Sequence, residues 1–145
     1  GPAEIEPHHP DLFWYGIHAV EKAYAIMGTG CETVVRTYTP NADVVTGIWS
    51  DGRVATVRGN RNTHYAFGVT VFGSEAVLEP KAGEGYEGLI RHILEFYRTG
   101  VPPVSHAETI ESLAFMEAAD LSKAKGGIPV SVPNVIKANG GMDGI

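Results

Sequence analysis

The chain contains a single cysteine, Cys31. One thiol excludes an internal disulfide and any zinc site built on several cysteines. Basic residues are few and scattered: 11 lysines and arginines face 17 aspartates and glutamates, for a net charge of −6. Phosphate recognition needs clustered cations, so no nucleic-acid surface is expected. No run of about 18 apolar residues occurs, so no membrane span is expected. No signal peptide is visible, and the expected location is the cytoplasm. Also missing is a Gly-x-Gly-x-x-Gly turn between a strand and a helix. The nearest stretch, Gly83-Glu84-Gly85-Tyr86-Glu87-Gly88, lacks a preceding β-branched run and spaces its glycines differently.

What is present describes a folding chain. Its 145 residues suit one domain, and 43% hydrophobic with 19% charged residues favours a packed core over disorder. The opening GPAEIEPHHP holds three prolines and reads as an extended arm over residues 1–7. Gly1-Pro2 looks like a cloning remnant, and the whole like a piece of a longer protein. The domain is expected over 8–132, with a tail over 133–145 that frays along KANGGMDGI.

Periodicity places the elements. Asp11 is the expected N-cap of a helix whose stripe is Phe13, Ile17, Val20, Tyr24 and Met27, ended by Gly28. β-Branched runs then predict strands over Thr33–Tyr38, Val44–Trp49 and Arg53–Arg58, with Asp51-Gly52 turning the second into the third. HYAFGVTVFG, residues 64–73, alternates bulky Tyr65, Phe67, Val69 and Val71 with Ala66, Gly68 and Thr70. It reads as the clearest strand, with a small-residue face suited to self-association. A short strand over Ala76–Glu79 follows. Tyr86 to Tyr97 is a second helix closed by Gly100, and Ser105 with Glu108 caps a third that runs to about Lys125. Ile128–Val132 is a last short strand. Hairpin-linked strands between helices predict an α+β fold: a large, mostly antiparallel open sheet with helices packed on one face.

The stretch HHPDLFWYGIHAVE concentrates the candidate chemistry. His18, one turn before Glu21, is open to three readings: a catalytic group, a metal ligand with His8 and His9, or a locally bonded helix residue. Adjacent histidines point in different directions and no carboxylate or cysteine spacing supports them, so no metal is expected. Trp14, Tyr15 and Trp49 suit stacking on a sugar ring, or a core or interface. Arg36, Arg58 and Arg61 suit a substrate carboxylate or phosphate, or pairing across the sheet. Cys31 reads as a small buried residue.

Four stretches carry a likeness: FWYGIHAVEKAYAIMGTGCETV, ADVVTGIWSDGRVATVRG, YAFGVTVFGSE and TGVPPVSHAETIESLAFMEAADLSKAKGGIPV. Together, over roughly residues 8–132, they resemble the C-terminal domain of the Gfo/Idh/MocA family of NAD(P)-dependent oxidoreductases. The resemblance implies a separate Rossmann half that holds NAD or NADP and supplies a lysine from a Glu-Lys-Pro motif. This chain has no such motif; Glu79-Pro80-Lys81 runs in another order. It implies that the present half shapes a sugar or polyol pocket and pairs subunits through an exposed sheet face, as a homodimer or tetramer.

The family's catalytic histidine lies in an Asp-x-Gly-x-His pattern. His18 and Gly16 fit it, Trp14 stands in the aspartate's place, and Glu21 is the available orienting group. Trp14, Tyr15, Arg58 and Arg61 are the expected substrate-binding residues, with no cofactor or metal site in this chain. Three functions follow: the substrate and oligomerisation domain of a sugar or polyol oxidoreductase, a stand-alone carbohydrate- or protein-binding module derived from it, or a small cofactor-free enzyme using His18 as base.

Overall fold

The β-branched runs form a meander. In the computed structural model, which describes residues 1–80 and 85–141, β1 (Cys31–Thr39) turns into β2 (Ala42–Trp49) and β2 into β3 (Val54–Asn60). The second turn is the expected Asp-Gly one: the Asp51 carboxylate accepts from the Arg53 N–H at 3.0 Å. Gly52 adopts the positive φ, +87°, that a side chain resists. A two-residue strand, β6 (Val130–Ser131), pairs with the other side of β1. The sheet order is β3-β2-β1-β6, and every pairing in it is antiparallel. The fold is α+β, as the element pattern predicts.

Alternation decides which face is the core. Val34, Val45, Trp49 and Val57 point inward and are nearly or wholly buried. Against them pack Val20 and Tyr24 of helix α1 (Ile17–Met27), and Phe115, Met116 and Ala118 of helix α3 (His106–Ala124). Each such aliphatic or phenyl group contributes roughly 1.5–3 kcal/mol by leaving water. The packing leaves Gly47 no room for a side chain: a Cβ there would stand 2.7 Å from Phe115 and 2.9 Å from Trp49. Thr33, Val35, Val44, Thr46 and Ile48 occupy the alternate positions, so they share the opposite face of the sheet. Ser105 caps α3 as expected, its Oγ accepting the Glu108 N–H at 3.1 Å.

Three expectations are corrected. First, Asp11 caps nothing. It opens a 3-10 turn, Asp11–Phe13, and α1 starts later, after Gly16, with no side-chain cap. A Cβ on Gly16 would lie 2.9 Å from the Leu12 carbonyl oxygen, so the turn and the helix meet only over a glycine. Asp11 instead accepts from Arg36 and Lys123. Second, residues 64–73 are not a strand of the sheet. Only β4 (Val71–Phe72) pairs, with β5 (Val77–Leu78), in a separate two-stranded ribbon. A strand needs a free edge, and the end of β3 is already taken. Asn60 N–H donates to the Gly1 carbonyl at 2.9 Å, and the Ala3 N–H to the Asn60 carbonyl at 3.0 Å. The small-residue face of 64–73 is therefore not a sheet face.

Third, the tail does not fray at once. Helix α4 (Val132–Ala138) forms, with Pro133 in its first turn, and Ser131 Oγ accepts the Asn134 N–H at 3.4 Å. Val132 and Val135 join the core, which offsets the cost of ordering a short helix. The rest of the expected tail, Met142 to Ile145, lies outside the described residues.

Helix α2 (Glu87–Thr99) ends at Gly100 with φ +71°, as read from the sequence. It packs nowhere, however: every residue from Gly85 through Ala107 is exposed.

Candidate functional site

Two segments far apart in sequence build one aromatic shelf. The 3-10 turn and first turn of α1 bring Trp14, Tyr15 and His18; the extended segment before β4 brings Tyr65 and Phe67. Tyr15 lies edge-on to His18 at 5.6 Å and to Tyr65 at 5.9 Å between ring centroids. His18 meets Phe67 at 6.0 Å, and Tyr65 meets Phe67 at 5.6 Å. Trp14 extends the row, 5.9 Å from Tyr15, and is 42% exposed. These edge-to-face contacts are favourable pairings of aromatic quadrupoles. They leave ring faces and edges in water rather than in the core.

His18 stands on the exposed side of α1. Its Nδ1 lies 3.3 Å from Glu21 Oε2, so the acid one turn on is the group that can orient the ring. Contact with the Tyr15 hydroxyl pushes the Tyr65 phenol above its ordinary value. Lys22 places its ammonium 4.2 Å from the centre of the Phe67 ring.

Beyond Phe67 opens a groove of about 790 Å³. One wall is α1, through Ala19, Lys22 and Ala23; another is β3, through Val54, Thr56 and Arg58. The third is the extended segment from Phe67 to Gly73. Its size is that of a small-molecule pocket. Arg58 is the cation expected from the sequence that reaches it, and its Nε donates to Asn60 Oδ1 at 2.9 Å.

Arg61 goes elsewhere, which corrects its place among the substrate-binding residues. It is 4% exposed, and it donates to Asp43 and, at 3.1 Å, to the Thr39 carbonyl. It belongs to a buried ion network beneath the shelf. Arg36, fully enclosed, donates to Asp43 at 2.8 Å, to Asp11 at 2.9 Å and to Asp120. Lys123 closes the ring on Asp11 and sits 3.7 Å over Tyr38. Three cations balance three carboxylates, so the cluster carries little net charge and suits an interior.

Environment splits the acids of this network. Burial raises the Asp11 carboxyl, but the Lys123 hydrogen bond and the Arg36 charge outweigh it, and the group ends below its ordinary value. Burial raises Asp120 too; there Arg36 does not compensate, and the nearby Asp11 charge adds to the rise. For Arg36, burial alone would lower the guanidinium, but its hydrogen bond and charge contact with Asp43 carry it above the ordinary value. The network has a positional effect. Asp11 heads the turn that carries Trp14 and Tyr15, so the Arg36–Asp11 bond ties the shelf to the sheet.

A second carboxylate does similar work on the other side of the core. Glu111 accepts the Gly30 and Cys31 N–H groups, both at 2.8 Å, and the Tyr24 hydroxyl at 3.2 Å. Cys31 beside it is 2% exposed, as its small size predicts; burial and the Glu111 charge push its thiol up to about 12.

Among the described residues no group of three or more histidines, cysteines, aspartates or glutamates is placed to hold a metal. Among the described residues no Rossmann-type dinucleotide turn is present. Such a site needs a strand, a glycine turn and a helix N-terminus at a parallel sheet. The described strand that runs straight into a helix, β6 into α4, is antiparallel and glycine-free, and its Ser131 hydroxyl caps its own helix. Lys81, Gly83 and Glu84 of the sequence stretches weighed above lie outside the described residues. No described helix is long and apolar enough to cross a membrane.

Comparison with protein-family models, curated proteins and solved structures finds no match to this chain. The geometry therefore stands on its own. Sequence reasoning placed Trp14, Tyr15, His18, Glu21 and Arg58 around the site and missed Tyr65, Phe67 and Lys22. The first two carried a signal, bulky aromatics in alternation, which also reads as a strand face. Trp49, weighed as a stacking residue, is core: 2% exposed, with its Nε1 donating to the Gly28 carbonyl at 2.9 Å.

Proposed function

We propose that this chain is the substrate-binding and subunit-pairing domain of a Gfo/Idh/MocA-type oxidoreductase acting on a sugar or polyol. The observation that carries the reading is the shelf of Trp14, Tyr15, His18, Tyr65 and Phe67, whose last ring also lines the groove. Sugar C–H faces pack on aromatic rings, and sugar hydroxyls need donors and acceptors at the rim. His18, Glu21, Arg58 and the tyrosine hydroxyls supply both. A neutral His18, oriented by Glu21, accepts a proton from a bound hydroxyl. The nicotinamide cofactor, NAD or NADP, belongs to a separate nucleotide-binding domain, and this chain alone binds substrate without oxidising it.

A second reading, a carbohydrate-binding module without catalysis, is favoured by one feature. The His18 and Glu21 side chains are 50% and 58% exposed, with Trp14 where the family pattern has an aspartate. Calorimetric titration with a panel of monosaccharides and polyols tests both. Saturable binding that weakens in Trp14→Ala supports a sugar site. Failure of the folded chain to saturate with any member of the panel removes both readings.

A further inference from the structure

Four rings of the shelf close on themselves. Tyr15 meets His18 at 5.6 Å and 80°, and His18 meets Phe67 at 6.0 Å and 79°. Phe67 meets Tyr65 at 5.6 Å and 88°, and Tyr65 returns to Tyr15 at 5.9 Å and 76°. Every side of this quartet joins two nearly perpendicular rings. Its middle therefore lies within about 6 Å of all four ring centres, the range over which an aromatic ring attracts a cation. The quartet opens to water through His18, whose side chain is 50% exposed, and through Tyr65, 57% exposed.

A neutral sugar leaves that arrangement without a use. Stacking of a pyranose needs one flat ring, which Trp14 supplies at the end of the row. Perpendicular rings offer no such platform; they bring several π systems within reach of one small cation. Two charged groups of the chain fit the same chemistry. Lys22 already rests its ammonium 4.2 Å from the centre of the Phe67 ring, so an alkylammonium is what this ring holds in the folded chain. Glu21 stands at the His18 corner, with Oε2 3.3 Å from His18 Nδ1 and a side chain 58% exposed. That leaves a carboxylate oxygen in place for a second cation.

We propose that the shelf takes an amino sugar. Its ammonium seats against Tyr15, His18, Phe67 and Tyr65 beside Glu21, and its C–H face lies on Trp14. The inference rests on the sugar reading above and names the class of sugar. Lys22 is then the chain's own competitor, which the ligand's ammonium displaces from Phe67.

Calorimetric titration of the chain at pH 7 compares glucosamine, galactosamine and mannosamine, each with its parent sugar and its N-acetyl derivative. The best-bound amino sugar should bind about fivefold or more tightly than its parent, the gain that a cation–π contact supplies. N-acetylation removes the charge and should abolish that gain. Tyr65→Leu takes away one ring without changing the net charge and should bring the ratio of the two affinities toward one. Lys22→Met frees the Phe67 ring and should widen it. Far-UV spectra matching the parent chain establish that both variants are folded. Equal affinity for amino and parent sugars would overturn the inference and leave the sugar reading standing. A preference untouched by Tyr65→Leu would overturn it too, and would assign the gain to the net charge of −6. Saturation by no sugar, charged or neutral, would overturn both.

Discussion

Arg36 Nε donates to Asp43 Oδ1 at 2.8 Å, with 0% and 1% of the two side chains exposed. Arg36 stands opposite Val45, and Asp43 opposite Tyr38, so the pair is a diagonal contact on the inner face of β1 and β2. Removing Arg36 takes a cation from Asp43, Asp11 and Asp120 at once and leaves the dry Asp43 with Arg61 alone. Arg36→Met should therefore lower the unfolding free energy by about 3–5 kcal/mol, a loss set by three carboxylates left to two cations more than by lost packing. Urea denaturation followed by circular dichroism measures it. A loss under about 1 kcal/mol would mean that water reaches Asp43.

Asp11 gives the fold an acid limb. Its folded-state value lies below the unfolded one, about 3.9. A depressed carboxyl contributes stability that is fully present above the unfolded value and lost as pH falls through the folded one. Urea midpoints should hold from neutrality to about pH 4 and then drop. Asp11→Asn should lower the neutral plateau and flatten that drop. Asp120 has the opposite sign: its raised value means that its contribution is present at low pH and lost as pH rises through the folded value. An unchanged acid limb in Asp11→Asn would place the effect elsewhere.

The Cys31 thiol should be inert in the native state. It is enclosed, and with its value near 12 almost no thiolate forms at pH 8. Iodoacetamide should leave the folded chain unlabelled and label it fully in urea, as read by intact mass. Rapid labelling without denaturant would show that β1 opens locally around Cys31.

Substitutions in the shelf and in the network should act on different measurements. Trp14→Ala and His18→Asn change exposed groups, and each should leave stability within about 0.5 kcal/mol of the parent. Sugar affinity should fall in Trp14→Ala, whose ring offers the stacking face. Arg61→Met should do the reverse, lowering stability by leaving the buried Asp43 with Arg36 alone while the groove keeps its lining. A stable Arg61→Met chain with lost sugar binding would return Arg61 to the site.

Much of the fold was legible because its signals are local. β-Branched runs, Asp51-Gly52, the Ser105 cap and Gly100 each act within a few residues, and each element forms where they place it. The candidate site was half legible. Trp14, Tyr15, His18 and Glu21 share one short stretch and one helix start. Tyr65 and Phe67 arrive from 50 residues away, and their alternation is equally the signature of a buried strand. Asp11 misled for a related reason. It stands just before the first residue of the apolar stripe, as a cap would, but α1 begins six residues later, and a buried guanidinium is a stronger partner for a carboxylate than exposed amide groups are.

The sequence by itself determined the α+β class, the antiparallel meander, the position of α3 and the clustering of aromatics before α1. These follow from periodicity and turn chemistry, which are properties of neighbours along the chain. Tertiary structure alone decided that residues 64–73 stay out of the sheet, because Gly1 to Ala3 hold the end of the β3 edge. It also decided that Arg61 is structural, that α4 folds onto the core, and that α2 stands bare. Each of those outcomes depends on which distant group reaches a given edge, charge or apolar face, and spacing along a chain does not encode that.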